Sequence, residues 1–418
     1  MAAAQDPDDL AAWLRLAHTP GVGRAAARKL LACWGDARAV LAQPEAVLAP
    51  LVGADKARAL LQPPANTLTT AQQTLQWLDA TPPGRVRRGI LTLGDAGYPK
   101  ALLTLADPPL VLYALGAAVF QENSTQSLVE PALAAADLDA LPIRPDGCLA
   151  VVGSRNPTPQ GLENARHFAH HLALGGWTVV SGLALGIDGA AHAGALQAAS
   201  TRPNAALTVA VVGTGLDRVY PKAHHALAHQ IAEHGLILSE YPLGTPPLTA
   251  HFPQRNRIIA ALARGCLVVE AAVKSGSLIT ARLSAELGKE VFAVPGSIHA
   301  PQARGCHALI QQGAKLVTCA QDILDECPLA TGSGPLKAAP DAPFFEAPNP
   351  DDSWASTQNE DESQVLSALG HDPTHLEALQ ARTGRSAADL QAVLMNLELD
   401  GRVVRRPGGL FQRQVLQT

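Results

Sequence analysis

Four short stretches carry the side chains that could do chemistry. They are Gly153-Ser154-Arg155 in "VVGSRNPTPQG", Lys222 in "RVYPKAHH", Arg255-Asn256-Arg257 in "FPQRNRIIAAL", and Lys274 in "EAAVKSGSLIT". Each sets a fixed cation among small, hydroxyl or amide-bearing neighbours. That is the equipment for holding an anion: N–H donors, hydroxyls, positive charge, and glycines that let backbone come close. Covalent chemistry has thinner support. Ser154 and Ser277 have no convincing base nearby in sequence. Asp188 and His192 stand four apart at a helix start, the spacing of an acid–base dyad, but a structural cap beside a satisfied histidine is the simpler reading. His225, His229 and Glu233 share a helix face that could suit a metal, with no ligand from elsewhere to complete it. No P-loop occurs, and "GTGLDRVYP" lacks the third glycine of a dinucleotide fingerprint. The expected catalytic and metal sets are empty, and no cofactor is expected.

The arginine pair poses the sharpest question. The run after it, IIAALARG, has helical spacing, and cations at a helix start oppose the macrodipole by a few tenths of a kcal/mol, whereas an anion is welcome there. Either an anion visits Arg255 and Arg257, or acidic residues at neighbouring strand ends, Glu240 or Glu270, pair with them. Phosphate contact is the expected answer.

These stretches need elements to present them. From about 86 to 325, short apolar runs alternate with helical ones: LAVVG (149–153), TVVSG (178–182), LTVAVVG (207–213), LILSE (236–240), CLVVEA (266–271), EVFAV (290–294) and KLVT (315–318). Near-continuous apolar strands separated by helices predict an α/β fold, a Rossmann-like doubly wound parallel sheet, and ligands bind such sheets at the strands' carboxyl ends. The stretches with Arg155, Lys222 and Lys274 fall at such ends or just beyond, as does "SGLALGIDGAAH" with Gly182, Gly186 and Gly189. Residues 117–147 interrupt the pattern and are expected to form an exposed excursion. Upstream, residues 1–65 read as a small helical domain in which "TPGVGRAAARKLL" resembles a helix-hairpin-helix (SAM-like) turn, and three helices are expected from LAAWLRLAH, GRAAARKLLACW and DARAVLAQ. Residues 328–360 are rich in Pro, Ala and Asp and read as a flexible linker. Residues 361–413, three helical segments followed by "RVVRRPGGLFQR", predict a winged helix.

Composition narrows the class. The chain has 418 residues, 47% of them apolar but only 4% aromatic, so several cores packed by Leu, Val and Ala are expected. Six scattered cysteines without a C-x-x-C pair predict a reduced protein. The acidic N-terminus is unlike a secretory signal, and no apolar run approaches the ~20 residues that span a bilayer, so a cytoplasmic location and no membrane partner are expected. The net charge is -5, yet residues 151–315 hold 13 Lys and Arg against 8 Asp and Glu, leaving 19 against 29 elsewhere. A basic segment inside an acidic chain predicts a local anion-binding surface.

Taken together, "VVGSRNPTPQG", "SGLALGIDGAAHAGAL", "GTGLDRVYP", "SEYPLGTPP", "FPQRNRIIAAL", "VVEAAVKSGSLITA" and "FAVPGSI…GCHALIQQGA" resemble the DNA-processing protein A (DprA/Smf) family. The resemblance implies a single-stranded-DNA-binding protein of natural transformation. It also implies a homodimer formed through the Rossmann-like domain and loading of the RecA recombinase onto incoming strands. Carried over residue by residue, the DNA groove would use Gly153, Ser154, Arg155, Lys222 and Arg255-Asn256-Arg257, with Lys274 nearby. His224 and His307 stand where the family has asparagine, which puts the contacts near Lys222 in question.

Two other functions compete. Rossmann-like phosphoribohydrolases share the architecture, but their P-G-G-x-G-T-x-x-E turn has no counterpart; "VPGSI" and "RPGG" lack the acid. A duplex-DNA regulator would act through the winged helix. Its presumed recognition helix, SAADLQAVLMNLELDG, has no Lys or Arg and three acids, a poor fit to a phosphate-lined groove, and Arg402, Arg405 and Arg406 in the wing do not repair that. That module is expected to bind protein.

Overall fold

Strands that are apolar on both faces must be covered on both sides, and the interior strands here are. In the computed structural model, which describes residues 7–62, 65–80, 82, 84–120, 140–329, 365–366, 368–369 and 373–414, every residue of Cys148–Val152, Thr178–Ser181, Thr208–Val211 and Gly235–Ser239 is buried. In chain order the strands are β1 (Arg87–Thr92), β2 (Val111–Gly116), β3 (Ala118–Phe120), β4 (Leu141–Ile143), β5 (Cys148–Val152), β6 (Thr178–Ser181), β7 (Thr208–Val211), β8 (Gly235–Ser239), β9 (Gly265–Val268), β10 (Glu290–Ala293) and β11 (Lys315–Leu316). Among the described residues nine of them form one sheet in the order β1-β2-β8-β7-β6-β5-β9-β10-β11.

The stretch from β8 to β11 is parallel, as expected. Two strands not anticipated, β1 and β2, extend the β8 edge in antiparallel register, Tyr113 opposite Ser239 and Ile90 opposite Tyr113. The chain moves outward from β5 through β6 and β7 to β8, then returns to lay β9 on the other side of β5. That reversal opens a crevice at the carboxyl ends of β5 and β9, where ligands of doubly wound sheets bind.

The expected excursion at 117–147 differs at its roots. β3 and β4 pair in parallel, and Ala118, Leu141 and Ile143 are buried in the sheet's main core, because their side chains continue the apolar surface of β2 and β5. Residues 121–139 lie outside the described residues, as does the expected linker from 330 onward.

The N-terminal helices Pro7–His18, Arg24–Trp34 and Ala37–Leu41 form where helices were expected, and Asp36 caps the third by accepting from Ala39 N at 2.8 Å. Three more follow: Glu45–Val52, Ala54–Leu61 and Ala65–Asp79. The last runs past the boundary at 65. This helical layer shares its core with the sheet. Leu14, Leu30 and Leu60 belong to one apolar cluster with Tyr113, Val212 and Ile237 of the sheet's β2–β7–β8 side. At the other end of the chain, β12 (Thr374–His375), β13 (Val403–Arg406) and β14 (Leu410–Arg413) make a three-stranded sheet in the order β12-β14-β13 beside helices Leu376–Thr383 and Ala387–Leu399. They close around Leu379, Leu390, Leu394 and Phe411, a winged-helix module with its own small core.

Candidate functional site

The turn after β5 is tied down by backbone. Ser154 N donates to Glu270 O at 2.7 Å, Ile187 N donates to Ser154 O at 3.1 Å, and Ser154 Oγ accepts from Asn156 N at 3.1 Å. A Cβ on Gly153 would sit 2.7 Å from Ile187 and 2.9 Å from Glu270 O, so this glycine serves the packing of turn on helix. Gly153 and Ser154 thus brace the turn, and Arg155 is what it presents. Its guanidinium is exposed and lies over the Phe252 ring, 5.3 Å from the centroid.

Phe252 in turn packs 5.7 Å from the ring of Tyr220, and Lys222 follows two residues later, exposed at the start of a short 3-10 turn. Lys274 stands exposed on the loop after β9, close to Gly276, whose carbonyl accepts from Asn256 Nδ2 at 3.2 Å. Among the described residues, Arg155, Lys222 and Lys274 meet no carboxylate in an ion pair. Three exposed cations along one end of a sheet make that edge electropositive.

Arg255 and Arg257 are placed differently from the expectation. The helix that carries them is His251–Leu262, so it begins four residues before Arg255, and both arginines sit past the first turn, where the macrodipole argument no longer applies. Both side chains point into the sheet, 3% and 7% exposed. Arg255 donates to Gly182 O at 2.7 Å and to Val211 O, between the ends of β6 and β7; a Cβ on Gly182 would lie 2.4 Å from the guanidinium, so only glycine leaves it room. Burial pushes this guanidinium down to about 10, with Asp188 opposing the shift and Arg155 adding to it. Burial likewise raises the Asp188 carboxyl, against the pull of Arg255.

Arg257 pairs with Glu240 through Nη2. Arg24 of the second N-terminal helix reaches the same Glu240 oxygen at 3.1 Å and Asp107 at 2.8 Å, and Arg257 Nε lies 3.5 Å from Asp107. The Glu240 side chain is 4% exposed; burial raises its carboxyl while Arg257 and Arg24 hold it down. Strand-end pairing, the alternative considered for the arginines, is what Arg257 does. Arg24, just past the turn that resembles a helix-hairpin-helix, is drawn into the same network. Lys289 fixes the far end of the arginine helix, donating to the carbonyls of Ala260, Ala261 and Ala263 at 2.6–2.9 Å. No signal in the sequence pointed to it.

The crevice between β5 and β9 holds a further feature. Helix Pro159–Leu174 starts there, and its N-terminus is where a doubly wound sheet ordinarily receives a phosphate. Glu270, just past β9, already fills it. Its carboxylate accepts from Thr158 N at 2.9 Å and from Thr158 Oγ1, and a Cβ on Gly161 would meet the carboxylate at 2.4–2.7 Å. A carboxyl group of the protein itself occupies this position; burial raises it, while the bonds from Thr158 and the charge of Arg406 hold it down.

His192, His224 and His307 are each bonded within the fold. His192 is buried against Thr208 Oγ1 at 2.7 Å, and burial takes it down to about 3, so it is no acid–base partner of Asp188. His224 is bonded to Leu183 O at 3.0 Å and His307 to Gly296 O at 2.9 Å, so each donates to a backbone carbonyl. The His225 and His229 rings pack 4.7 Å apart, and the described residues contain no group of three or more His, Cys, Asp or Glu that could hold a metal ion. From the wing, Arg406 Nη2 donates to Pro157 O at 3.2 Å, two residues beyond Arg155, while Arg405 lies over Phe411. The winged helix therefore rests on the same sheet end.

The fold is thus a doubly wound sheet with exposed cations at its carboxyl edge, a carboxylate seated at the start of helix Pro159–Leu174, a helical N-terminal layer and a winged helix. Comparison with known proteins makes this specific. The family model of DNA recombination-mediator protein A matches residues 140–328, and that of the DprA winged helix domain matches residues 347–409. Protein Smf of Synechocystis is 34% identical over 78% of this chain and 80% of its own length. Protein Smf of Escherichia coli K12 is 41% identical over 62% of this chain and 66% of its own. The X-ray structure of DNA processing protein A from Streptococcus pneumoniae superposes with a TM-score of 0.59 at 33% identity, covering 76% of this chain and 97% of that one. The chain belongs to the DprA/Smf family.

Proposed function

We propose that this protein binds single-stranded DNA and acts, without catalysing a reaction, as a recombination mediator that protects incoming strands in natural transformation and delivers them to the RecA recombinase. The observation that carries the DNA part is the set of exposed cations Arg155, Lys222 and Lys274, in no ion pair among the described residues, at the carboxyl end of a sheet into which Arg255 and Arg257 are drawn. Delivery to RecA and a homodimer formed through the Rossmann-like domain rest on family membership. A cytoplasmic setting suits the six free cysteines. Among the described residues no helix is long and apolar enough to cross a membrane. Glu270 at the phosphate position weighs against the nucleotide-processing alternative.

The test is a binding isotherm for an oligo-dT strand against a duplex of equal length at several salt concentrations. The strand is expected to bind more tightly, with log K falling against log salt by ~0.7 for each phosphate neutralised. Preference for the duplex, or binding to neither, would overturn the reading.

The division of labour can be read by truncation. A chain ending at residue 329 keeps Leu329 on the sheet domain's core and keeps the N-terminal helices, which share a core with β2, β7 and β8. It is expected to stay folded and dimeric and to retain most single-strand affinity by light scattering and anisotropy. Loss of both would place the DNA and dimer surfaces in the winged helix.

A further inference from the structure

Arg155, Phe252, Tyr220 and Lys222 stand in a row: cation over ring, ring against ring, cation two residues on. The Phe252 ring lies on the end of β7, where a Cβ on Gly213 would be 3.3 Å from its edge, and it meets Tyr220 at 5.7 Å with 35° between the planes. Tyr220 is 47% exposed. An aromatic pair could be ordinary packing, but this one packs only part of its surface; Arg155 lies over one ring, Lys222 follows the other by two residues, and neither cation is in an ion pair among the described residues.

The matching ligand has negative charge along its length and flat apolar faces between the charges. An unpaired nucleic-acid strand fits; a duplex, whose bases already stack on one another, does not. We propose that Tyr220 and Phe252 form a stacking platform for unpaired bases, with Arg155 and Lys222 holding the phosphates on either side. This deepens the single-strand reading and rests on it. The cations would bind any polyanion, whereas the rings sense whether bases are free.

The test uses the full chain with Tyr220→Leu and Phe252→Leu together, which keep apolar bulk but remove the π-faces. A second variant carries Tyr220→Leu alone, at a half-exposed position whose change leaves the core intact. Anisotropy is measured on an oligo-dT strand and on a base-free deoxyribose-phosphate strand of equal length. The expected result is an affinity loss of about tenfold or more on oligo-dT for the pair and a smaller loss for the single variant. The salt slope and the affinity for the base-free strand should not change. Wild-type affinity for oligo-dT in both variants would overturn the platform while leaving single-strand binding intact, as would an equal loss on the two strands. Wild-type protein that binds neither strand would overturn the single-strand reading and the platform with it. If the paired variant melts early, the single variant decides on the same readings.

Discussion

Replacing Arg257 with glutamine is expected to cost the fold about 3–5 kcal/mol, the usual penalty for leaving a buried charge without its partner. The carboxylate left behind would be Glu240, 4% exposed, with Arg24 still in reach but a third open to water. Urea unfolding should show the loss as a lower midpoint, while the fraction that remains folded keeps its affinity for oligo-dT. The companion variant, Arg257→Leu with Glu240→Leu, should recover much of the stability. Among the described residues, Glu240 Oε1 and Arg257 Nε and Nη1 have no hydrogen-bond partner, so the pair is imperfectly satisfied and an apolar replacement loses little. Unchanged stability with a tenfold fall in DNA affinity would return Arg257 to the binding surface.

The second large effect lies on that surface. Arg155→Ala together with Lys222→Ala is expected to lower oligo-dT affinity at least tenfold and to flatten the salt slope by about 1.4, two contacts at ~0.7 each. Thermal unfolding should change little. Neither side chain is buried, and the interaction that the pair of substitutions removes within the fold is that of Arg155 over Phe252, worth about 0.5–1 kcal/mol at such a site. Affinity and slope equal to wild type would remove both cations from the site.

The sheet was legible because its interior strands are apolar on both faces, a pattern few other structures tolerate. β1 and β2 were less so. β1 alternates buried and half-exposed positions, and its place at an antiparallel edge is set by contacts with β2 and the N-terminal helices. Helix Ala65–Asp79 hid behind four threonines, which are poor helix formers in isolation. The site was half legible. Residue type marked Arg155, Lys222, Arg255 and Arg257 alike as cations near strand ends. Which of them face water depends on where helix His251–Leu262 begins and on Glu240, a carboxylate seventeen positions before Arg257. The contact of Arg406 with Pro157 spans 249 positions and left no trace in local pattern. Tyr220 and Phe252 are likewise far apart in sequence, and only the fold makes them neighbours.

Glu270 bears on which small molecules the sheet can receive. A doubly wound sheet with an open helix N-terminus is a receptor for mononucleotides, and those are everywhere in cytoplasm. With its own carboxyl group seated on Thr158, this chain already fills the place where free nucleotides would otherwise dock. If the edge beside it binds strands as proposed, monomers meet an occupied position there, while long strands, which make many weak contacts at once, do not depend on it.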